Sequence, residues 1–306
     1  MPTDSGARPL LIGLDWGVSS LRAWLIGPAG AVIDARRAST GILSVESGGF
    51  AETFDAAVGD WTRAHPAAPV LLCGMIGSRQ GWVEAPYAAA PAGLRDLAAA
   101  LAPVMIEGRL AARIVPGVSL ADGARREVMR GEETQIVGAA QDGARLAILP
   151  GSHSKWARVE NGRIVDFATF MTGETFAALK DHTILGRAMA PGGDPALAEA
   201  AFAEGLGVGA KGLCGGLFQT RARILLGQLS AGAAEAFLSG LLIGAEIEEG
   251  LARYGRPDRA PLLVGAPKLV ERYARAFSAR GVAVELAGEE TAAAGLWAIA
   301  RAAGLI

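Results

Sequence analysis

Residues 10–26 of this chain read LLIGLDWGVSSLRAWLI. Two apolar runs flank a short turn at residues 16–20, which predicts a β-hairpin and not the first strand and helix of a βαβ unit. A turn at residues 28–30 leads into a third apolar run at 31–33, so an antiparallel meander is expected. Because the hairpin tip is rich in glycine and serine, its N–H and hydroxyl groups can turn toward a phosphate.

A second hairpin of the same kind is predicted at residues 146–159, and Asn161-Gly162 predicts the next hairpin turn. Each half of the chain therefore opens with a hairpin whose tip carries glycine, serine and one charged residue. This coarse repeat indicates two related α/β lobes. The length of the chain also suits two domains. We place the lobes at residues 1–140 and 141–306.

Periodicity and turn residues predict the other elements. Phe50, Phe54, Val58 and Trp61 recur at helical spacing, which predicts a helix over residues 47–64. The remaining predicted elements are strands at 70–74 and 113–117, a helix from 132 to 140, Ala/Leu-rich helices from 194 onward, one strand at 261–265 and a last helix at 290–303.

Composition excludes several classes of protein. Of 306 residues, 51% are hydrophobic and 20% are charged, so the chain can bury a large core and is not intrinsically disordered. A net charge of -2 and a pI of 6.0 argue against nucleic-acid binding. The apolar stretch 236–245 is about half a membrane span and is interpreted as a buried helix. The N-terminus lacks the pattern of a signal peptide, so we expect a cytoplasmic protein.

Cysteine and histidine usage points away from metal and disulfide chemistry. The only cysteines, Cys73 and Cys214, give no disulfide framework, and both are expected to be buried. His65, His153 and His182 lack metal-ligand spacing, so a zinc site is not expected. The Ser-His-Ser stretch around His153 does not predict a hydrolase, because adjacent hairpin residues point to opposite faces and no nucleophile elbow occurs.

Nucleotide-binding motifs of the common kinds are also missing or misplaced. No Gly-x-x-x-x-Gly-Lys-Ser/Thr sequence occurs, which excludes a P-loop. The glycine pattern at 207–212 follows a predicted helix, where a dinucleotide-binding fold needs a strand.

Three charged features could carry chemistry. Asp15 beside the first tip would repel phosphates unless Mg²⁺ lies between them; the alternative is a turn aspartate bonded to its own backbone. Lys155, one of four lysines, lies in the second Ser/Gly turn, unless it is a solvated surface lysine. Glu132 and Glu133 begin a predicted helix, either because acids favour a helix N-terminus or because one of them is a general base.

Three whole motifs narrow the interpretation. Residues 74–82 (GMIGSRQGW), 129–135 (MRGEETQ) and 149–156 (LPGSHSKW) resemble the 2-dehydro-3-deoxygalactonokinase family of the actin-like ATPase and sugar-kinase superfamily. The resemblance implies a two-lobed, ribonuclease H-like α/β fold with mixed sheets and an interlobe cleft. It also implies transfer of the ATP γ-phosphoryl group to the terminal hydroxyl of 2-dehydro-3-deoxy-D-galactonate. The product would be 2-dehydro-3-deoxy-6-phosphogalactonate, an intermediate of galactonate catabolism.

The resemblance further implies roles for individual residues. Asp15 would orient a magnesium ion through water, and Gly265 with Ala266 would lie near the adenosine. Related carbohydrate kinases carry a Gly-Asp-Gln motif where this chain has a glycine followed by Glu132 and Glu133. Either glutamate could be the general base, and Glu132 is favoured slightly because it directly follows the glycine. The residues expected at the ATP phosphates are Gly17, Ser19, Ser20, Gly151, Ser152, His153, Ser154 and the catalytic Lys155.

A sugar acid also carries a carboxylate, which arginine recognises better than lysine does. Arg79 is the candidate for this contact, and Arg22, on the strand leaving the first tip, is its competitor for ATP or sugar. Glu174 ranks lower, because it could instead cap a helix near Thr172. The polyol site is expected to be shaped by Gln80, Trp82 and Glu84.

Two other functions remain open. A kinase of an epimeric keto-deoxy sugar acid or of another sugar would keep the fold and change the substrate. A non-catalytic nucleotide-dependent sensor belongs to a different class, but it would not need the intact set of Asp15, a glutamate pair and Lys155. The expected partner is a small-molecule sugar acid, with no nucleic acid and no membrane, and a homo-oligomer is left open.

Overall fold

The computed structural model describes residues 9–139, 143–288 and 290–306. The expectation about the N-terminus over residues 1–8, the predicted lobe boundary at 140/141 and the predicted helix end at 140 therefore lie outside the described residues. Contacts between Cα atoms divide the chain into two compact units. Unit 1 contains residues 9–139, 143–144, 157–167 and 290–306, and unit 2 contains residues 145–156 and 168–288.

The strands of the described residues are β1 (Leu11–Trp16), β2 (Leu21–Ile26), β3 (Val32–Ala38), β4 (Val70–Cys73), β5 (Tyr87–Ala89), β6 (Ala92–Gly93), β7 (Ala102–Ile106), β8 (Arg109–Ile114), β9 (Gly117–Asp122), β10 (Arg125–Met129), β11 (Ala144–Leu149), β12 (Ser154–Glu160), β13 (Arg163–Phe170), β14 (Leu262–Val264) and β15 (Glu285–Ala287). The α-helices are α1 (Phe50–Ala64), α2 (Leu94–Ala99), α3 (Glu132–Ala139), α4 (Thr172–His182), α5 (Pro195–Gly209), α6 (Leu213–Leu225), α7 (Ala234–Tyr254), α8 (Pro267–Ser278) and α9 (Thr291–Ala302).

The first predicted hairpin and its meander are confirmed in unit 1. Strand β1 pairs antiparallel with β2, and β2 pairs antiparallel with β3. Strand β1 also pairs parallel with β4, in a mixed sheet of order β3-β2-β1-β4-β8-β7. Every residue of β1 is buried, as expected for a strand covered on both faces. This sheet fixes the position of the first hairpin tip, because β1 and β2 enter and leave it.

Helix α1 confirms the prediction drawn from aromatic spacing. It begins at Phe50, and its residues Phe54, Val58 and Trp61 are buried in the core of unit 1. The helix starts three residues later than predicted, since Gly48, at φ +88°, and Gly49 precede it. Apolar residues at helical spacing thus pack α1 against the meander.

The last helix of the chain packs on the helix that begins with the glutamate pair. A Cβ atom on Gly138 of α3 would lie 2.0 Å from the Thr291 carbonyl oxygen, and one on Gly295 of α9 would lie 1.9 Å from the Thr134 oxygen. Glycines on both helices therefore allow this close contact. Residues 290–306 belong to unit 1.

The second predicted hairpin is confirmed as well. Strands β11 and β12 are neighbours in one sheet. Strand β14 pairs parallel with β11, and β15 pairs parallel with β14. The turn after β12 contains Asn161 at φ +50° and Gly162 at φ +71°, the two positive φ values that a type I′ hairpin needs.

Helix α7 confirms that the apolar stretch 236–245 is a buried helix. Phe237, Leu238, Leu241 and Leu242 are almost fully buried, and α7 packs on α5. In the described residues, no helix is long and apolar enough to cross a membrane. The glycine pattern at 207–212 begins inside α5, so a helix precedes it, as predicted.

Three expectations about local structure are wrong in part. The strand predicted at 113–117 is two strands, because β8 ends at Ile114, Pro116 cannot donate to a ladder, and β9 begins at Gly117. Cys73 is buried, but Cys214 is exposed on the first turn of α6. The three-residue strand β15 was not predicted after residue 265, because two of its residues are exposed and it is too short to show alternation.

Candidate active site

The first hairpin places an aspartate and an arginine opposite each other. Asp15 of β1 and Arg22 of β2 are cross-strand partners, and Arg22 Nη2 donates to Asp15 Oδ2 over 2.5 Å. Asp15 is 7% exposed and lies in the strand β1, not in the turn that follows it. At the tip the Gly17 N–H donates to the Ser20 oxygen, and Ser19 and Ser20 are exposed.

Two glycines bring the start of α3 close to Asp15. A Cβ atom on Gly74, at φ +92°, would lie 2.8 Å from the Trp16 oxygen and 2.9 Å from Asp15 Oδ1. A Cβ atom on Gly131, at φ +110°, would lie 3.0 Å from the Gly74 Cα. Only glycine suits both positive φ values. The three predicted sites at Asp15, at residue 74 and at the glutamate pair therefore lie together in unit 1.

The two glutamates have different surroundings. Glu132 is partly exposed, and its Oε2 accepts the Arg130 N–H at 2.9 Å. Glu133 is fully buried, and its oxygens accept the Gly131 N–H at 2.7 Å and the Thr134 hydroxyl at 2.9 Å. Burial raises the pKa of Glu133 to about 7, and the charge of Glu132 adds to the effect.

Cys73 lies close to two acidic groups of this site, Asp15 and Glu133. It pairs with Asp15 across β4 and β1 and is fully buried. Burial raises the pKa of the Cys73 thiol well above its usual value, and the nearby charges of Asp15 and Glu133 raise it further. The thiol is therefore protonated and does not act as a nucleophile.

The loop after β4 separates the predicted substrate residues into two groups. Arg79 is 87% exposed in its side chain and pairs with Glu84 at 3.0 Å, which raises the pKa of Arg79. Gln80 is exposed beside it. Trp82 is half-buried and packs on Phe54 with ring centroids 5.5 Å apart, so it holds the loop on the core of unit 1.

Arg130 is a residue of this region that the sequence analysis missed. It is 8% exposed, donates from Nη2 to the Ala85 oxygen at 2.7 Å and stacks 4.2 Å over the Tyr87 ring. Its Nε and Nη1 atoms are buried without a hydrogen-bond partner. Arg130 thus fastens the end of the loop to the strand that precedes the glutamate pair. A charged residue directly before a glycine in the MRGEETQ motif was the signal.

The second hairpin exposes its tip and buries its end. Ser152 and His153 are exposed, whereas Ser154 and Lys155 are buried. Lys155 is 4% exposed and donates from Nζ to the His153 oxygen at 3.3 Å, so it is not a solvated surface lysine. Gly151 is half-buried and opens the turn.

Glu174 lies beside this hairpin and pairs with it. Its Oε2 atom is hydrogen-bonded to His153 Nε2, and its N–H donates to the Ser152 oxygen at 3.0 Å. A Cβ atom on Gly173 would lie 2.5 Å from the Gly151 oxygen, so α4 begins directly against the turn. Glu174 therefore lies directly against the turn of the second hairpin in unit 2.

A buried polar network under the second hairpin was also missed. Glu246 of α7 accepts hydrogen bonds from Trp156 Nε1 at 2.8 Å and from the Tyr273 hydroxyl at 2.5 Å. The Tyr273 hydroxyl also lies 3.2 Å from Ser154 Oγ. Burial raises the pKa of Glu246, and burial with the Glu246 charge raises that of Tyr273 well above its usual value. The signal was Glu246, which directly follows the apolar stretch 236–245 within the same helix.

The predicted adenosine turn lies next to the second hairpin in unit 2. Gly265 follows β14 at φ +150°, and a Cβ atom there would lie 3.6 Å from the oxygen of Pro150, which precedes the tip. Ala266 is exposed before Pro267, the first residue of α8. The turn thus leaves backbone groups accessible beside the hairpin.

The donor set at Asp15 suits a hydrated magnesium ion. Among the described residues no group of three or more His, Cys, Asp or Glu side chains could enclose a metal. Mg²⁺ usually keeps several waters and uses one or two carboxylates together with substrate phosphates. A nearly buried Asp15 beside two exposed serines fits that mode of binding.

The chain is similar to known proteins over nearly its whole length. The family model described as 2-keto-3-deoxy-galactonokinase matches residues 15–299. "Probable 2-dehydro-3-deoxygalactonokinase DgoK1" of Rhizobium meliloti (strain 1021) is 40% identical over 94% of this chain and 96% of its own length. The 2-dehydro-3-deoxygalactonokinase of Escherichia coli (strain K12) is 35% identical over 95% and 97%.

Solved structures agree with this result. A crystal structure of a candidate 2-dehydro-3-deoxygalactonokinase from Sinorhizobium meliloti is 39% identical, covers 95% of this chain and 98% of its own, and has a TM-score of 0.83. The activator of 2-hydroxyisocaproyl-CoA dehydratase from Clostridium difficile is 14% identical over 95% of both chains, with a TM-score of 0.52, and shows the fold alone. The predicted actin-like α/β fold with mixed sheets is confirmed. From the match over residues 15–299 and 35–40% identity across full-length relatives, we conclude that the chain belongs to the 2-keto-3-deoxy-galactonokinase family.

Proposed function

We propose that the protein transfers the γ-phosphoryl group of ATP to the terminal hydroxyl of 2-dehydro-3-deoxy-D-galactonate. The products are ADP and 2-dehydro-3-deoxy-6-phosphogalactonate. The observation that carries the proposal is the glutamate pair at the start of α3, held next to Asp15 by Gly74 and Gly131, in a chain 35–40% identical to kinases of that name. A general base beside a phosphate site is the arrangement that phosphorylation of an alcohol requires.

Glu132 is the general base of this proposal. A base must come within hydrogen-bond reach of the substrate hydroxyl, and Glu132 is partly exposed while Glu133 is fully buried. Glu133 instead accepts hydrogen bonds from Gly131 and Thr134 within the first turn of α3. It is a positioning residue, because these bonds fix the backbone from which Glu132 projects.

The two hairpin tips are assigned to the ATP phosphates. Ser19 and Ser20 at the first tip and Ser152 at the second are exposed, and the N–H groups of a tight turn attract anions. Lys155 is assigned to stabilise the charge of the transferred group. Because Lys155 is buried, water competes little with the phosphoryl oxygens for its ammonium group. The other phosphate contacts are proposed to come from Gly17, Ser19, Ser20, Gly151, Ser152, His153 and Ser154.

Asp15 is proposed to hold Mg²⁺ through water. When bound, the ion neutralises charge on the phosphate oxygens. Asp15 is oriented for this task by Arg22, which donates to one of its oxygens at 2.5 Å. Gly265 and Ala266 are assigned to the adenosine because their turn lies beside Pro150, which precedes the tip of the second hairpin.

The sugar acid is assigned to the loop after β4. Arg79 offers a planar donor fork to the carboxylate of the sugar acid. Its present partner Glu84 is exposed, so a ligand carboxylate can take the place of Glu84 at the guanidinium group. Gln80 and Trp82 complete this proposed polyol site, with Trp82 fixing the loop on Phe54. Arg22 and Glu174 remain proposed contacts of second rank.

A coupled ADP-release assay tests the substrate. Mg-ATP is offered with 2-dehydro-3-deoxy-D-galactonate, with its gluconate epimer and with a plain hexose. Strong preference for the first acid supports the proposal. Equal turnover of the hexose would remove the carboxylate argument, and ATP binding without turnover of any of the three would indicate a nucleotide-dependent sensor.

A further inference from the structure

Arg130 is a nearly buried arginine that directly follows β10 and uses only part of its guanidinium group. It is 8% exposed, and its Nη2 atom donates to the Ala85 oxygen at 2.7 Å. Its guanidinium carbon lies 4.2 Å from the centre of the Tyr87 ring. The Nε and Nη1 atoms are buried and make no hydrogen bond within the described part of the chain. Two of the three guanidinium nitrogens therefore lack an acceptor there.

The positive charge of Arg130 is also unpaired among the residues that the structure describes. None of their carboxylates forms an ion pair with this guanidinium group. The Ala85 oxygen and the Tyr87 ring carry only partial negative charge. Because burial of a charge without an opposite charge is costly, a lone buried guanidinium group needs a reason other than stability.

Arg145 of β11 shows how the chain accommodates a nearly buried arginine elsewhere. The Arg145 side chain is 6% exposed, and its Nη2 atom donates to Glu285 Oε2 at 2.6 Å. The guanidinium group lowers the pKa of Glu285, as expected when opposite charges are paired. Arg145 therefore has the carboxylate partner that Arg130 lacks among the described residues.

The charge of Arg130 lies between the two segments of unit 1 to which the sugar acid is assigned. One segment is the loop after β4, because a Cβ atom on Gly77 would lie 2.9 Å from Arg130 Nη1 and Ala85 of the same loop accepts its hydrogen bond. The other segment is the glutamate pair, because the Arg130 N–H donates to Glu132 Oε2 at 2.9 Å. An anionic substrate in this region would supply the missing negative charge.

We propose that Arg130 is a specificity-determining residue, whose buried charge makes the site prefer an anionic sugar to an uncharged one. Arg79 is exposed and contacts the carboxylate, whereas the buried Arg130 attracts it through space. Such attraction is strong because buried charges are screened less by salt and water than exposed ones. The inference rests on the proposed kinase function and names a residue that sets its substrate class.

The test compares 2-dehydro-3-deoxy-D-galactonate with its uncharged carboxamide. The ratio of the two kcat/KM values measures the preference for a negative charge. Arg130→Met and Arg130→Gln remove the charge, and the glutamine keeps a donor for the Ala85 oxygen, whereas Arg130→Lys keeps the charge. Arg145→Met is the matched control, because it also removes a nearly buried arginine but lies in unit 2. Near-UV circular dichroism checks that each variant is folded.

Both uncharged variants are expected to lower the ratio of acid to carboxamide about 10-fold, the size of the attraction between unit charges roughly 10 Å apart at an effective dielectric constant of about 20. Arg130→Lys should keep most of the ratio, because lysine carries the same charge. Arg145→Met should leave the ratio unchanged. A purely structural role of Arg130 would lower kcat/KM for both compounds alike and leave the ratio as in the wild type, which would overturn the inference.

Replacement of an unpaired buried charge by an apolar side chain is often neutral or stabilising, so Arg130→Met should fold. Calorimetry with the acid and with the carboxamide separates the inference from the proposed function. If the wild type phosphorylates neither compound but binds the acid more tightly, and Arg130→Met removes that difference, the proposed function fails while the charge preference stands. If the wild type phosphorylates the acid and the uncharged variants keep its ratio, the inference fails while the proposed function stands.

Discussion

Gly131 lies so close to Gly74 that a Cβ atom added to Gly131 would be 3.0 Å from the Gly74 Cα. Both glycines have positive φ values, of +110° and +92°. The contact joins the loop after β4 to the turn before the glutamate pair, and Gly74 in turn packs on Asp15. The close approach of Asp15, the proposed magnesium-directing carboxylate, and the proposed base therefore depends on the absence of two side chains.

Gly74→Ala is expected to lower the free energy of unfolding by about 2–4 kcal/mol, combining the strain of a positive φ with overpacking. Urea titration measures the loss. Gly48→Ala is the matched control, because Gly48 has a φ of +88° and nothing within 4 Å of its Cβ position. Only the φ strain should remain there. Equal losses in the two variants would show that the close contacts at Gly74 cost nothing.

Glu132→Gln is expected to lower kcat by about 10²- to 10⁴-fold, the usual loss on removing a general base. Binding of ATP should change little, because the glutamate is assigned to the sugar hydroxyl. Single-turnover kinetics and calorimetry with ATP measure the two quantities. Glu133→Gln should retain more activity than Glu132→Gln, and wild-type rates in both variants would contradict the assignment of the base to this pair.

The raised pKa of Glu133 predicts that the stability of the protein depends on pH. Its pKa is raised from 4.5 to about 7 in the folded protein, so the native state holds a proton that the unfolded chain releases. The free energy of unfolding contributed by Glu133 is therefore largest below pH 4.5 and falls as the pH rises toward about 7. Unfolding measured at pH 5 and pH 8 in wild type and Glu133→Gln should show a steeper fall in the wild type. Parallel curves would mean that Glu133 has an ordinary pKa.

Glu246→Ala is expected to lower the free energy of unfolding by about 2–4 kcal/mol, because it removes the acceptor from two buried donors, Trp156 Nε1 and the Tyr273 hydroxyl. Since Tyr273 also contacts Ser154, the KM for ATP should rise as well. Glu249→Ala is the control, because Glu249 is exposed on the same helix. If both variants unfold alike, the network under the second hairpin contributes no stability.

Arg79→Ala is expected to raise the KM for the sugar acid much more than the KM for ATP. The thermal midpoint should hardly change, because the pair of Arg79 with Glu84 is exposed and such pairs stabilise little. Arg63→Ala removes a similar exposed pair with Asp55 on α1 and serves as control. Unchanged kinetics in Arg79→Ala would move the carboxylate contact to another residue.

Local pattern was sufficient for the elements that carry the site. The apolar runs around residues 16–20 predicted β1 and β2, and aromatic spacing predicted α1, because hydrophobic periodicity reflects burial on one face. The second hairpin and the turn at Asn161-Gly162 followed from the same rules. The motifs around residues 74, 131 and 151 identified the family, and the match over residues 15–299 confirmed it.

The strands of the two hairpins, their tips and the identity of the family follow from the sequence alone, because each of these depends on neighbours in the chain. The burial of Glu133 beside the partly exposed Glu132, and the packing of Trp82 on Phe54, became visible in three dimensions and not in the sequence. The same is true of the hydrogen bond from the Tyr273 hydroxyl to Glu246 beside the second hairpin. Burial, pKa and hydrogen-bond partners are set by groups far away in sequence, which local periodicity does not encode.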